Sequence, residues 1–177
     1  DDNVLINQAI VYFKKEVGRY KEAGIIKIAV NFLHQDPDSD EILGQCEESG
    51  RDQGHATLCV SLMGAFCQMA YSIGEDLFAF DNYRAVAMAE YVGKYNLIKD
   101  ESFNKGTLVG DDFIYDSNSF PYTSYSNPSY TNATISTEQR GTKRPSWELF
   151  YGYCKEKGIS SLYSEKWADQ MRPDGGG

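Results

Sequence analysis

Two short segments hold the side chains best able to do chemistry: ESGRDQGH (Glu48 to His55) and RGTKRPSWELFYGY (Arg140 to Tyr153). They contain His55, one of two histidines in the chain, together with Arg51, Arg140, Lys143, Arg144 and Tyr151. A histidine, an arginine and a tyrosine gathered from distant stretches can neutralise a carboxylate and move a proton. Gln53 and Arg51 are donors of the kind that hold a substrate carboxylate, although each could equally tie a loop. Glu47, Glu48 and Asp52 are the natural partners of Arg51.

In the second segment, Arg144, Glu148 and Tyr151 stand at i, i+4 and i+7. On one continuous helix they would share a face. A rise of ~1.5 Å per residue puts the arginine and tyrosine Cα atoms ~10 Å apart, close enough for their side chains to converge on one ligand. Glu148 between them is expected to orient the guanidinium. The plainer reading is a salt bridge on a solvated face and a tyrosine at the core boundary.

Helices must position these groups. Apolar residues from Leu5 to Tyr20 recur at helical spacing, and Gly24 closes that stretch. Ile25 to Phe32 reads as a short strand or a buried irregular segment, followed by a polar turn, QDPDSDEILG, over 35–44. A second helix is predicted from about Asp52 to Ile73 and a third from about Glu75 to Tyr95. A fourth follows Pro145 to Lys157, and a short fifth covers Ser161 to Met171. Between Ile98 and Arg140 the pattern dissolves into Ser, Tyr, Asn, Thr and Gly. A loop of that length points to a lid or binding loop, and its tyrosines argue against plain disorder. The fold class expected is all-α, a single domain of paired helices over residues 1–177.

The formal charge of -9 excludes a nucleic-acid backbone as partner. Basic groups gather around Arg51 and again from Arg140 to Arg144. No stretch approaches the ~20 apolar residues of a membrane span. Thirteen tyrosines fit either a surface for sugars or an aromatic core boundary. Cys46, Cys59, Cys67 and Cys154 show no zinc spacing. Cys59 and Cys67 read as buried thiols on one helix, while a disulfide through Cys46 or Cys154 stays open. Asn132-Ala133-Thr134 is a glycosylation sequon. The start at Asp1 and the closing RPDGGG suggest a processed product and a chain cut short or ending in a tail.

ESGRDQGH, the following GEDLFAFDNYRAVAMAEYVGKYNL and the later RGTKRPSWELFYGY together resemble the alginate lyase superfamily. These are polysaccharide lyases with an incomplete (α/α) toroid, and the resemblance runs over most of the chain. It implies that this chain is the C-terminal portion of such a toroid, periplasmic or secreted. The remaining helices would come from a longer parent chain. It further implies an acidic polysaccharide substrate, no cofactor and no metal. His55 matches the family's histidine, and Arg144 and Tyr151 match an arginine and tyrosine seven residues apart. The family's asparagine before the histidine is replaced here by Gly54. Gln53, or another part of the protein, would then supply the amide.

The resulting expectation is β-elimination from a uronate. Donors at Gln53, His55 or Arg51 would neutralise the carboxylate and stabilise the developing dianion. A phenol ionises near pH ~10, so a tyrosine base needs a cation beside it. Arg144, with Arg140, is expected in that role for Tyr151. The same phenol can then protonate the leaving oxygen, with His55 as base for the opposite C5 epimer. Two other readings stand beside it. One is a sugar-binding domain that keeps the fold without turnover. The other is a toroid glycoside hydrolase using Glu47, Glu48 or Asp52, which would need two carboxylates facing each other across a cleft.

Overall fold

The computed structural model describes residues 3–15, 24–126 and 131–172. Among these, six α-helices form the body: α1 (Asn3–Lys14), α2 (Ile25–Ala29), α3 (Gln53–Ser72), α4 (Phe80–Asn96), α5 (Trp147–Lys157) and α6 (Leu162–Met171). The mainly helical class is as expected. The later part of the first expected helix and the tail after Arg172 lie outside the described residues.

A β-hairpin stands where the sequence predicted a short strand or irregular segment followed by a polar turn. Val30–Gln35 (β1) pairs antiparallel with Ile42–Cys46 (β2), so the stretch expected to be only a polar turn carries a strand at its end. The turn between them is built on Asp36, which accepts from the Asp38 N–H at 3.2 Å and the Ser39 hydroxyl at 2.6 Å. Asp36 also pairs with Lys94 of α4 and accepts from Tyr163 Oη at 2.5 Å. Lys94 is buried and faces the Tyr115 and Tyr163 rings at 4.5 and 4.9 Å. A buried ammonium is tolerable only when so surrounded. This group clamps the hairpin to α4 and α6.

α4 is the central rod. Every residue from Ala85 to Asn96 is buried. Its first turn is unusual, because Asp81, Asn82 and Tyr83 have φ of 52°, 57° and 60°. The right-handed helix therefore starts after Tyr83. Left-handed backbone costs ~1–2 kcal/mol per L-residue. Arg84 holds the turn by donating to the Val30 carbonyl at 2.9 Å and to Asp81 at 3.1 Å. At the other side Trp147 donates its indole N–H to the Ala89 carbonyl at 2.9 Å and packs edge-on against Trp167.

α5 lies along α3 in the same direction. Arg144 meets Thr57, Ser146 meets Ser61, Phe150 sits over Gly64 and Tyr153 packs on Tyr71. Gly64 leaves the space that the Phe150 ring fills, since a Cβ there would stand 2.7 Å from it. The long 98–140 segment is mostly irregular, with two 3-10 turns and a small ribbon of Tyr125–Ser126 (β3) and Thr131–Asn132 (β4). Asn132 of the sequon is buried and donates to Tyr125 Oη at 2.8 Å. All four cysteines are free thiols. Leu62, Met69 and Ile73 remain exposed along α3. None of the helices is long and apolar enough to cross a membrane among the described residues.

Candidate functional site

The N-terminus of α3 is where the sequence motif acquires a geometry. Strand β2 leads through a 3-10 turn, Glu47–Gly50, into Asp52, whose extended backbone makes it the N-cap. One Asp52 oxygen accepts the His55 backbone N–H at 2.8 Å, and the other lies 2.6 Å from His55 Nδ1. Asp52 is 8% exposed and His55 40% exposed, so a buried carboxylate backs a ring that reaches solvent. That arrangement fixes the imidazole and leaves its Nε2 for a ligand or a proton. Arg51 stands beside it, 3.4 Å from Glu48 and 3.8 Å from Asp52. Burial, then the neighbouring Glu47, raises the Glu48 carboxyl above its ordinary range, with Arg51 opposing.

Gln53 does something other than expected. Its amide donates to the carbonyls of Ser49 and Ser136, both at 3.0 Å, and its oxygen accepts from Asn96 Nδ2 at 3.0 Å. The residue is buried and both its donors are spent on backbone. Gln53 is a strap that ties α3, α4 and the 135–141 segment together, with no N–H left for a substrate carboxylate.

Arg140 is likewise a scaffold residue. Its Nε donates to the Tyr95 carbonyl at 2.8 Å and an Nη to the Tyr115 carbonyl at 2.7 Å. The guanidinium is sandwiched between the Tyr95 and Phe113 rings at 3.9 and 4.1 Å. Burial lowers its pKa to about 10, with Tyr95 opposing. It makes no contact with Tyr151.

The helical face expected for Arg144, Glu148 and Tyr151 does not form, because α5 begins at Trp147. Arg144 precedes Pro145, whose ring disfavours helical backbone at the residue before it. Arg144 turns instead to α3, its Nε 3.3 Å from Thr57 Oγ1, two residues past His55. Glu148 pairs with Arg172 at the end of α6 rather than with Arg144, and this ion pair lowers its carboxyl pKa. Tyr151 lies on the same side. Lys155 Nζ donates to its hydroxyl at 3.3 Å and the Arg172 guanidinium stands 5.1 Å from its ring. So Arg51 and His55 stand together at the start of α3 and Arg144 reaches the same helix at Thr57, while Tyr151 and Glu148 belong to a separate cationic cluster facing α6.

One residue near the histidine had no signal in the sequence. Gln53 N donates to the Glu138 carbonyl at 2.8 Å, Ser136 N to the Ser49 carbonyl at 2.9 Å, and Gly141 N to Asn96 Oδ1 at 2.8 Å. These bonds sew 136–141 onto the start of α3 and the end of α4. They bring the Gln139 side chain onto Gly54: a Cβ built on Gly54 would fall against the Gln139 carboxamide, its Cδ 3.0 Å away.

Gln139 also lines a cleft of about 580 Å³ with Lys105, Ser117, Arg140, Thr142 and Lys143. The loop tyrosines approach from the other side, where Tyr122 Oη stands over Gly50. The carboxylates Glu48 and Asp52 occupy one turn and are engaged by Arg51 and His55, so they do not face each other across an opening. Among the described residues no three His, Cys, Asp or Glu side chains are grouped to hold a metal ion. No family model, curated protein or solved structure matches the chain.

Proposed function

We propose that this chain is part of a polysaccharide lyase that cleaves a uronic-acid polymer, such as alginate or a glucuronan, by β-elimination through side chains alone. The observation that carries the reading is the Asp52–His55 pair with the Arg51 cation beside it at the start of α3. A cation at this place suits a substrate whose every residue bears a carboxylate. A carboxylate-backed imidazole with a free nitrogen suits proton transfer. The resemblance of the two motifs to alginate lyases points the same way.

In the elimination a base takes the C5 proton, and the electron pair forms the C4–C5 double bond. The C4–O bond breaks, and the departing oxygen receives a proton. Negative charge on the uronate carboxylate rises as C5–H breaks, and donors around His55 stabilise it. In this proposal Tyr151 serves as base and acid, as the resemblance implies, with Lys155 donating to its oxygen. His55 is the base for the opposite epimer. The toroid itself belongs to the proposal: further helices of a longer chain would cover Leu62, Met69 and Ile73. So does a periplasmic or secreted location, where such polymers are met.

A second reading, an acidic-polysaccharide-binding domain without turnover, is favoured by one observation. Tyr151 contacts Lys155 and Arg172, and neither touches His55. Incubation with alginate and glucuronan separates the two. Rising ultraviolet absorbance from unsaturated ends supports the lyase, whereas binding with no such rise selects the binding domain.

A further inference from the structure

We propose that Cys46 and Cys59 are a disulfide-forming pair, a covalent clasp that a disulfide oxidant closes beneath the turn carrying Arg51 and Asp52. The pair is independent of the uronate reading. Cys46 ends β2, and Cys59 lies one helical turn beyond His55 on α3. Their thiols meet: the Cys46 sulfur accepts the Glu48 backbone N–H, and its other hydrogen-bond partner is the Cys59 side chain. The packing around them agrees. Cys59 lines an apolar cleft of about 490 Å³ together with Glu47 and Glu48, the two residues that follow Cys46. Cys67 and Cys154 are of another kind. Burial pushes each of their thiols up to about 12, and Cys154 bonds Ser161 instead of a thiol.

The two sulfurs differ in a way that orders the reaction. Cys46 is fully buried, whereas Cys59 is only partly buried and borders the cleft. The hydrogen bond from Cys46 holds the Cys59 thiol below its ordinary pKa, with burial, Glu48 and Glu47 opposing. The same contact, and then burial, push the Cys46 thiol up. A thiolate is the attacking form, so Cys59 reacts first with one sulfur of the oxidant. The oxidant's S–S bond breaks. One half leaves as a thiol with the proton that Cys59 gave up, and the other half stays on Cys59. Cys46 then releases its proton and attacks the Cys59 sulfur, expelling the second half as a thiol. The protein loses two hydrogens with their electrons, and the oxidant gains them. The ring so closed runs over residues 46–59, with Arg51, Asp52 and His55 inside it. Such a closure stabilises the fold chiefly by restricting the unfolded chain.

The test equilibrates the full chain with reduced and oxidised glutathione, quenches it in acid, alkylates the remaining thiols and maps the peptides by mass spectrometry. Cleavage after Arg51 puts the two cysteines on separate tryptic peptides, and fragmentation of the joined pair separates Cys59 from Cys67. We expect oxidised wild type to be lighter by two hydrogens, with the peptide ending at Arg51 joined through Cys46 to Cys59 on the peptide beginning at Asp52. The link should raise the melting temperature by at least about 5 °C over the reduced form. Cys67→Ala should form the same link. Cys46→Ala, which lacks the second thiol, should instead hold glutathione on Cys59. Cys46 and Cys59 both still alkylated in the fully oxidised buffer would overturn the proposal. So would a link from either to Cys67 or Cys154, glutathione held on wild-type Cys59 beside a free Cys46, or a link that leaves the melting temperature unchanged. The wild-type map decides the matter even where C46A does not fold.

Discussion

The carboxylate of Asp52 serves His55 twice, accepting its backbone N–H at 2.8 Å and meeting its ring Nδ1 at 2.6 Å. Helix capping and side-chain orientation therefore depend on one group. An N-cap aspartate contributes ~1 kcal/mol to stability. Asp52→Asn keeps an oxygen for the cap but gives up the anion behind the ring. We expect it to lower turnover at least tenfold while shifting the melting temperature by only a few degrees. Equal turnover of D52N and wild type would show that the pair is only a cap.

Tyr151 offers a different separation. Its hydroxyl has one partner, Lys155, on the outside of α5. Substitutions at such a position typically change stability by no more than ~0.5 kcal/mol. Tyr151→Phe should therefore melt like wild type and lose nearly all turnover, with oligosaccharide affinity kept. A fully active Y151F would move the base to His55.

The strap residue Gln53 should behave in the opposite manner. Gln53→Ala strips partners from the Ser49 and Ser136 carbonyls and from the Asn96 amide. Buried groups left unsatisfied cost ~1–3 kcal/mol each. Chemical denaturation should show a loss of several kcal/mol, and Asn96→Ala a similar one. A near-native Q53A with weakened substrate binding would return Gln53 to the site.

Glu90 gives the fold a pH dependence. It accepts the Tyr163 and Ser164 backbone N–H groups at 2.8 and 2.9 Å, capping α6 from α4. Burial raises its pKa to about 7, with these hydrogen bonds opposing. Its ordinary value is 4.5, so between pH 4.5 and 7 the folded chain holds a proton that the unfolded chain has lost. Stability from this group is thus greatest below pH 4.5 and falls as pH rises toward 7. At about 1.4 kcal/mol per pKa unit the fall amounts to a few kcal/mol. Urea titrations at several pH values should show that slope in wild type and lack it in Glu90→Gln, which should be less stable for want of a second acceptor. A slope unchanged in E90Q would refute the assignment.

The sequence was most legible where one helix decides its own face. The expected starts and ends of α3, α5 and α6 lie within about two residues of those observed, because Asp52, Pro145 and Gly158 punctuate them locally. It was least legible where partners come from far away. Strand β2 was hidden by the acidic turn before it, whose Asp36 meets its distant partners, Lys94 on α4 and Tyr163 on α6, only in the fold. Glu148 was paired with Arg144 by spacing, yet Arg172 on another helix takes it. Gln53 and Arg140 looked like substrate donors because nothing in a sequence tells a free amide or guanidinium from one spent on backbone carbonyls. Gln139, in a loop of small polar residues, carried no signal apart from the Gly141 turn that follows it.

The central claim is elimination from a uronate at the His55 end of α3, and the mass of the products tests it most directly. Oligosaccharides released from alginate or glucuronan should carry a new end lighter by one water than the saturated sugar and should absorb in the ultraviolet. Products with saturated ends, formed by addition of water, would contradict the account.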